Sequence, residues 1–133
     1  MQKRTLNNEN SSDIRYDSKA LSKINSLRLK SEFDNVRKNG KKYVSKYFLL
    51  IFTDSIDNKL KCGIICGRKF SKKAVTRNRV RRLIKESYRL IHNQLMTTHI
   101  IFIPRRSMIH SKMQDIHKNM VYSCKKVGLW KDK

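Results

Sequence analysis

The sequence predicts one domain of the α+β class, folded as a compact α/β sandwich. Its 133 residues are typical of a single domain, and a hydrophobic content of 38% allows a modest core. Helix-like and strand-like hydrophobic patterns follow each other in the order helix, strands, helix, strand, helix, which favours helices packed on a sheet. Residues 1–22 are polar and are predicted to form a flexible basic extension, so the domain is placed at residues 23–130.

The first helix is predicted over Lys30–Asn39. Phe33 and Val36 share one face of this segment with Leu29, which is the spacing of an amphipathic helix. Gly40 follows directly, in the position where a glycine often ends a helix.

Three strands can be placed from their apolar runs. Residues 47–53 are predicted to be a strand that is covered on both faces, and residues 60–66 a second strand. The polar segment 54–58 between them is predicted to be a turn, so the two strands are expected to pair as a hairpin. A later strand is predicted over residues 98–103, closed by Pro104.

The remaining apolar residues predict a last helix and further core positions. Residues 112–126 have the spacing of a helix with a buried face. Cys62 and Cys66 lie in an apolar run and are expected to be buried thiols, not metal or redox groups. Four aromatic residues are expected to divide between the two faces of the sheet: Tyr43, Tyr47, Phe48 and Phe52.

The most informative stretch is a basic segment that is also amphipathic. An apolar stripe at helical spacing runs from Val80 to Leu95, so the segment is predicted to be a helix that docks on the core. Lys and Arg residues fill the other faces, and Ser71 or Thr76 is the candidate N-cap. Cations in a first helical turn oppose the helix dipole, whereas a bound phosphate would meet the dipole, the free N–H groups and the cations together. The helix is therefore predicted to bind a polyanion.

The net charge agrees with this prediction. The chain carries 32 Lys and Arg against 10 Asp and Glu, a formal charge of +22, and such self-repulsion is relieved by an anionic partner. No apolar run approaches the roughly 20 residues of a membrane-spanning helix, so no membrane partner and a cytoplasmic location are expected. The acidic residues are scattered and the four histidines lack ligand spacing, so no catalytic residue and no protein-bound metal or cofactor are expected.

The basic segment also resembles a known family signature. Residues 68–86 read RKFSKKAVTRNRVRRLIKE, which is similar to the signature of the protein subunit of bacterial ribonuclease P. The first helix matches the family pattern Leu…Phe-x-x-Val-x-x-x-Gly, and Phe48 and Arg105 fall where the family has a strand and a trailing arginine. The match spans about residues 25–125.

The resemblance implies a fold and a function. The implied fold is an αβββαβα sandwich with a left-handed βαβ crossover, as in a ribosomal-protein domain, although right-handed crossovers are the general rule. The implied function is to bind the catalytic RNA and the 5′ leader of precursor tRNA, and so to assist endonucleolytic removal of that leader. The RNA would carry the chemistry with Mg²⁺, and the protein alone would be inactive.

The resemblance also assigns residues. The positions implied to bind RNA are Arg68, Lys69, Lys72, Lys73, Arg77, Asn78, Arg79, Arg81, Arg82 and Lys85. Phe33 matches an aromatic residue of the leader cleft, where bases can stack on a ring. Arg37 and Ile51 stand where many members have aromatic residues, and Lys72 stands where a glycine is common. The leader cleft of this chain is therefore expected to depend more on charge and aliphatic contact than on stacking.

Two other functions remain as alternatives. The charge alone would also suit a non-catalytic RNA-binding protein, such as a ribosomal protein or an RNA chaperone. Binding to double-stranded DNA ranks third, because the sequence has neither a helix-turn-helix nor zinc-ligand spacing. The basic helix, placed between two strands and a later strand, favours the ribonuclease P reading.

Overall fold

The structure, a computed structural model, describes residues 26–131, so the predicted extension at residues 1–22 lies outside the described residues. Within these residues, three helices and four strands follow the chain order αβββαβα. The helices are α1 (Lys30–Asn39), α2 (Ala74–Ile91) and α3 (Met113–Lys126). The strands are β1 (Lys41–Val44), β2 (Phe48–Asp54), β3 (Lys61–Ile64) and β4 (Thr98–Pro104). The α+β prediction and the predicted order are confirmed.

The four strands form one sheet in the order β1-β2-β4-β3. Strand β2 is antiparallel to both β1 and β4, whereas β3 runs parallel to β4. The predicted hairpin between residues 47–53 and 60–66 is therefore wrong, because β4 lies between β2 and β3. The segment β3–α2–β4 is a βαβ crossover, and its left hand stays a prediction.

Helices cover the two faces of the sheet unequally. Helices α2 and α3 pack on one face over the larger core, in which Phe102 contacts the rings of Phe48 and Tyr88 edge-on. Helix α1 covers part of the other face, where Val36 lies over Ile51 and Ile101 in a smaller cluster. Strand side chains alternate between these cores because neighbouring residues of a strand point to opposite faces.

The aromatic residues do not divide between the faces as expected. Phe48 is fully buried in the core under α2 and α3, and Tyr43, Tyr47 and Phe52 pack against that same core. The face under α1 receives aliphatic residues from the strands. The register of β1 and β2 places Tyr43, Phe48 and Phe52 on one side of the sheet, and Tyr47, in the turn before β2, packs against the same core.

The cysteines are buried core residues, as predicted. Cys62, Cys66 and Cys124 are free thiols with at most 3% of their surface exposed. Burial raises the pKa of Cys62 and Cys66 above the ordinary thiol value, and it raises the pKa of Cys124 to about 12. Because the thiolate is the reactive form, these groups stay protonated and serve as packing atoms at neutral pH.

Candidate nucleic-acid interface

One end of the sheet gathers most of the predicted site. Strands β3 and β4 are parallel and finish at the same end, where the chain enters the segments 65–73 and 105–112. The turn 45–47 before β2 lies there too, because Phe48 pairs with Pro104. The N-terminus of α2 follows segment 65–73 directly. We call this assembly of three segments and the first half of α2, residues 74–82, the basic end.

Helix α2 begins one residue after Lys73, which is its N-cap. Neither Ser71 nor Thr76 is the N-cap, so that prediction is wrong. The Ser71 hydroxyl instead accepts a hydrogen bond from the N–H of Lys73, 3.2 Å away, and so stabilises the turn before the helix. The first turn contains no acidic residue and the N-cap provides no side-chain hydrogen bond, so the basic character of this helix start is preserved in the fold.

Two arginines of the motif donate hydrogen bonds to backbone carbonyls of segment 65–73. Arg77 donates to the carbonyl oxygens of Ser71 and Lys72, at 2.9 and 3.1 Å. Arg81 donates to the carbonyl of Cys66 at 2.7 Å. These bonds fasten segment 65–73 to α2. Because a carbonyl is neutral, these hydrogen bonds do not themselves offset the positive charge of the guanidinium groups.

Hydrogen bonds from arginines to backbone carbonyls also join the other segments of the basic end. Arg79 uses both terminal nitrogens of its guanidinium, one on the carbonyl of Ile109 at 2.8 Å and one on that of Ser111 at 2.7 Å. Arg105 donates to the carbonyl of Ser45 at 2.7 Å, and Arg106 donates to that of Phe70 at 2.8 Å. Five arginines therefore hold the basic end together through backbone carbonyls.

Other predicted residues project from this assembly. Arg68, Lys69, Lys72, Lys73 and Arg82 are all exposed, and Asn78 is half-buried on α2. An exposed ammonium or guanidinium group can contact a phosphate without breaking an interaction with a buried group of the protein. Their predicted contact with RNA stays a prediction, with which their exposure is compatible.

Lys85 is the exception in the predicted set. Only 7% of this residue is exposed, and its charge lowers the pKa of the neighbouring Cys62 thiol, although burial of that thiol has the larger, opposite effect. It faces the core side of α2 together with Ile84 and Tyr88. Its predicted RNA contact stays a prediction that its burial disfavours.

Carboxylates gather at the opposite end of the sheet. Lys61 at the start of β3 lies 2.8 Å from Glu32 and 2.7 Å from Asp57, and His99 at the start of β4 lies 3.0 Å from Asp57. The Lys61 hydrogen bond holds the pKa of Asp57 well below its usual range. Glu32 also accepts hydrogen bonds from the N–H groups of Arg28 and Leu29 and so fastens the start of α1. The domain thus has an acidic end and a basic end.

The three predicted cleft residues occupy different environments. Phe33 is half-buried, and its ring lies against Gly63 of β3, where an added Cβ would be 2.6 Å from the ring. Arg37 is exposed on α1. Ile51 is only 3% exposed beneath α1, so it supports the helix and its predicted contact with the leader is disfavoured by burial.

An apolar strip beyond α1 was not predicted. Leu49 pairs with Val44 on one side and with Ile103 on the other, so their side chains share the α1 face of the sheet. Val44 is 63% exposed, and Leu49, Ile103 and Ile65 are half-buried beside the cluster under α1. We call these four residues the apolar strip. It lies between α1 and the basic end. The uninterrupted apolar run 48–52 is the sequence signal that could have found it, because such a run makes both faces of β2 apolar.

Two further findings concern the described residues. Among residues 26–131, no helix is both long and apolar enough to cross a membrane. Over the same range, no three side chains of His, Cys, Asp or Glu are grouped as a metal site requires.

Comparisons with known proteins agree on one family. A family model described as Ribonuclease P matches residues 21–128. The protein named "Ribonuclease P protein component" from Clostridium botulinum (strain Loch Maree / Type A3) is 36% identical over 110 residues, which cover 81% of this chain and 98% of that protein. The protein of the same name from Clostridioides difficile (strain 630) is 38% identical over 96 residues, covering 71% of this chain and 83% of that protein.

Known structures show the same fold. The RNase P protein from Thermotoga maritima superposes with a TM-score of 0.68 at 25% identity, covering 76% of this chain and 96% of that one. The RNase P protein of Staphylococcus aureus gives a TM-score of 0.71 at 19% identity, covering 79% of this chain and 96% of that one. Since the second likeness is below 25% identity, it supports the fold alone.

Proposed function

Because the chain belongs to the ribonuclease P protein family, as the protein subunit of that ribonucleoprotein, we propose that its basic end binds the ribonuclease P RNA and that the apolar strip beside α1 receives the 5′ leader of precursor tRNA. One observation carries the first part: five arginines hold the basic end through neutral carbonyls, and the exposed cations around them keep their charge. Carboxylates lie mainly at the other end of the sheet. A phosphate backbone is the partner that such a surface attracts most strongly.

The chemistry is proposed to reside in the RNA. A protein active site for phosphodiester cleavage would need a metal site or an acid–base pair beside the substrate surface. The acidic residues and His99 that the structure brings together lie at the acidic end, where they bond to one another and to Lys61. The proposal therefore assigns cleavage to the RNA, with Mg²⁺ as its metal ion. We also propose that the protein acts in the cytoplasm.

Reconstitution tests this proposal. Purified protein alone is expected to leave precursor tRNA uncut, because the carboxylates and the histidine that the described residues bring together bond to one another and to Lys61. Addition of a bacterial ribonuclease P RNA at low Mg²⁺ concentration is expected to give the mature 5′ end, since the protein's cations replace part of the charge screening that Mg²⁺ provides. Cleavage by protein free of RNA, or no gain over the RNA alone, would contradict the proposal.

Phe33 tests the leader contact. If its ring stacks on a leader base, Phe33→Leu should lower the affinity of the reconstituted enzyme for leader-bearing tRNA relative to leaderless tRNA, by about 1–3 kcal/mol for a lost stacking contact. Leucine keeps an apolar contact with Gly63 and Leu27, so it is a milder test of the fold than alanine. An unchanged affinity ratio in Phe33→Leu would show that Phe33 serves only to pack α1 on β3.

A further inference from the structure

Segment 105–112 is a part of the basic end that the motif does not include. It leaves β4, makes a short 3-10 helix at Arg106–Met108 and ends at Lys112, the N-cap of α3. Met108 is fully buried and anchors the segment in the larger core. Inside the segment, the Ser111 hydroxyl donates to the carbonyl of Ser107 at 2.7 Å. The segment is thus a defined turn and not a loose connection.

The exposed side of this segment is cationic. Arg105, Arg106 and Lys112 are exposed, and residues 105–112 contain no Asp or Glu, the next carboxylate being Asp115 in the first turn of α3. Arg106 donates one hydrogen bond to Phe70, and a guanidinium has five donors, so most of its donors remain for a ligand. The Lys112 side chain makes no capping hydrogen bond with α3. The segment therefore adds three exposed cationic side chains to the basic end.

Arg79 holds the segment against the motif helix. Its two terminal nitrogens bind two carbonyls of the segment, those of Ile109 and Ser111, which are two residues apart. A guanidinium spans two acceptors because its donors are fixed in a plane, whereas a lysine ammonium is a single point of charge. The second arginine of Arg77-Asn78-Arg79 is thus a brace between two parts of the basic end.

We propose that segment 105–112 is a second element that binds the backbone phosphates of the ribonuclease P RNA, and that Arg79 is the positioning residue that sets it beside α2. This inference rests on the proposed function and deepens it. The two elements then bind as one rigid surface, because the carbonyl bonds of Arg79 and Arg106 tie segment 105–112 to α2 and to segment 65–73. Preorganised cations lose less freedom on binding than cations on separate flexible loops.

The phosphate contact is tested at Lys112. In the full chain with ribonuclease P RNA, Lys112→Ala should lower the slope of log affinity against log salt by about one unit or slightly less. The matched control is Lys126→Ala, which removes the same charge at the other end of α3, about 21 Å along the helix axis. An unchanged slope for Lys112→Ala, with wild-type protein still assembling an active enzyme, would overturn the inference and leave the proposed function standing. Failure of the wild-type protein to bind the RNA would refute the proposed function itself.

The positioning role is tested with Arg79→Lys, with Arg82→Lys as its control. Both variants keep the positive charge. If Arg79 and Arg82 each only contacted a phosphate, the two substitutions would weaken RNA binding slightly and to the same extent. If Arg79 is a brace, Arg79→Lys should raise amide hydrogen exchange in residues 108–112. It should also weaken RNA binding about tenfold, as expected when a hydrogen-bonded brace is lost. Adding Lys112→Ala to Arg79→Lys should then weaken RNA binding less than Lys112→Ala does in the wild type. Full additivity with Lys112→Ala in a folded Arg79→Lys protein would contradict the positioning role.

Discussion

Replacing Lys69, Lys72, Lys73 and Arg82 with alanine together is expected to abolish high-affinity binding to ribonuclease P RNA. All four side chains are exposed in the basic end. Each phosphate contact contributes about 0.7–0.9 to the slope of log affinity against log salt, so the slope should fall by about three units. At 0.15 M salt the affinity should fall on the order of a thousandfold. Measurement of the RNA dissociation constant at several salt concentrations gives both values.

The control has to separate local contacts from net charge. Alanine at Lys38, Lys59, Lys118 and Lys126 removes the same charge from exposed positions outside the basic end. If only the overall field mattered, both sets would weaken binding equally. A much larger loss in the first set is expected, because long-range fields are screened beyond about 8 Å at physiological salt.

The same substitutions should not destabilise the free protein. Lys72 and Lys73 stand at the start of α2, where positive charge opposes the helix dipole, and the first turn has no acidic residue to offset it. Removing these cations relieves repulsion in a chain of formal charge +22. An unchanged or higher melting temperature together with lost RNA binding would show that this end of the protein favours function over stability. A lower melting temperature would instead assign these lysines to the fold.

The elements were predictable from sequence because hydrophobic period reports on local structure. The helix Lys30–Asn39 was predicted with the bounds that the structure has, and α2 was recognised from its stripe. Which strands pair with each other in the sheet was not predictable in the same way. The hairpin prediction joined two neighbouring apolar runs through a plausible turn, whereas β4, buried along most of its length, takes the position between them. Strand order depends on contacts between distant residues, and these leave no period in the sequence.

The site was predictable as a location but not as a set of roles. The sequence shows which residues are cationic. It does not distinguish the roles of the arginines at 77, 79 and 81 from those of the lysines around them. In the fold, these arginines bond to carbonyls of segments 65–73 and 105–112. Ile51 and Lys85 are buried, although both were assigned to RNA contact. A side chain's partner depends on loops that arrive from elsewhere in the chain, so composition and spacing cannot assign it.

Gly40→Ala is expected to be the most damaging of the small substitutions. The backbone of Gly40 is extended, with φ at −79°, so any residue could adopt it, and the predicted glycine stop is not a left-handed turn. The restriction is space. An added Cβ would lie 2.3 Å from the carbonyl oxygen of Val36 and 2.9 Å from both the Phe52 carbonyl oxygen and Ile51 Cγ2. Since two of these atoms belong to the backbone, relief requires α1 to move away from β2, at a cost of about 3 kcal/mol.

Gly67→Ala provides the matched control, because an added Cβ at Gly67 meets no atom within 4 Å. Alanine there should leave the free energy of unfolding unchanged or raise it by up to about 1 kcal/mol, through a less flexible unfolded chain. Urea unfolding of both variants measures the difference, and equal midpoints would refute the steric argument.

A folded Gly40→Ala protein would also separate the two parts of the proposed RNA surface. Gly40 joins α1 to β1, and α1 carries Phe33 and borders the apolar strip, whereas the basic end is held by bonds that do not involve α1. Displacement of α1 should therefore reduce the preference for leader-bearing over leaderless tRNA. The affinity of the folded fraction for ribonuclease P RNA should stay close to that of the wild type. Parallel losses in both affinities would mean that α1 and the basic end form one binding surface.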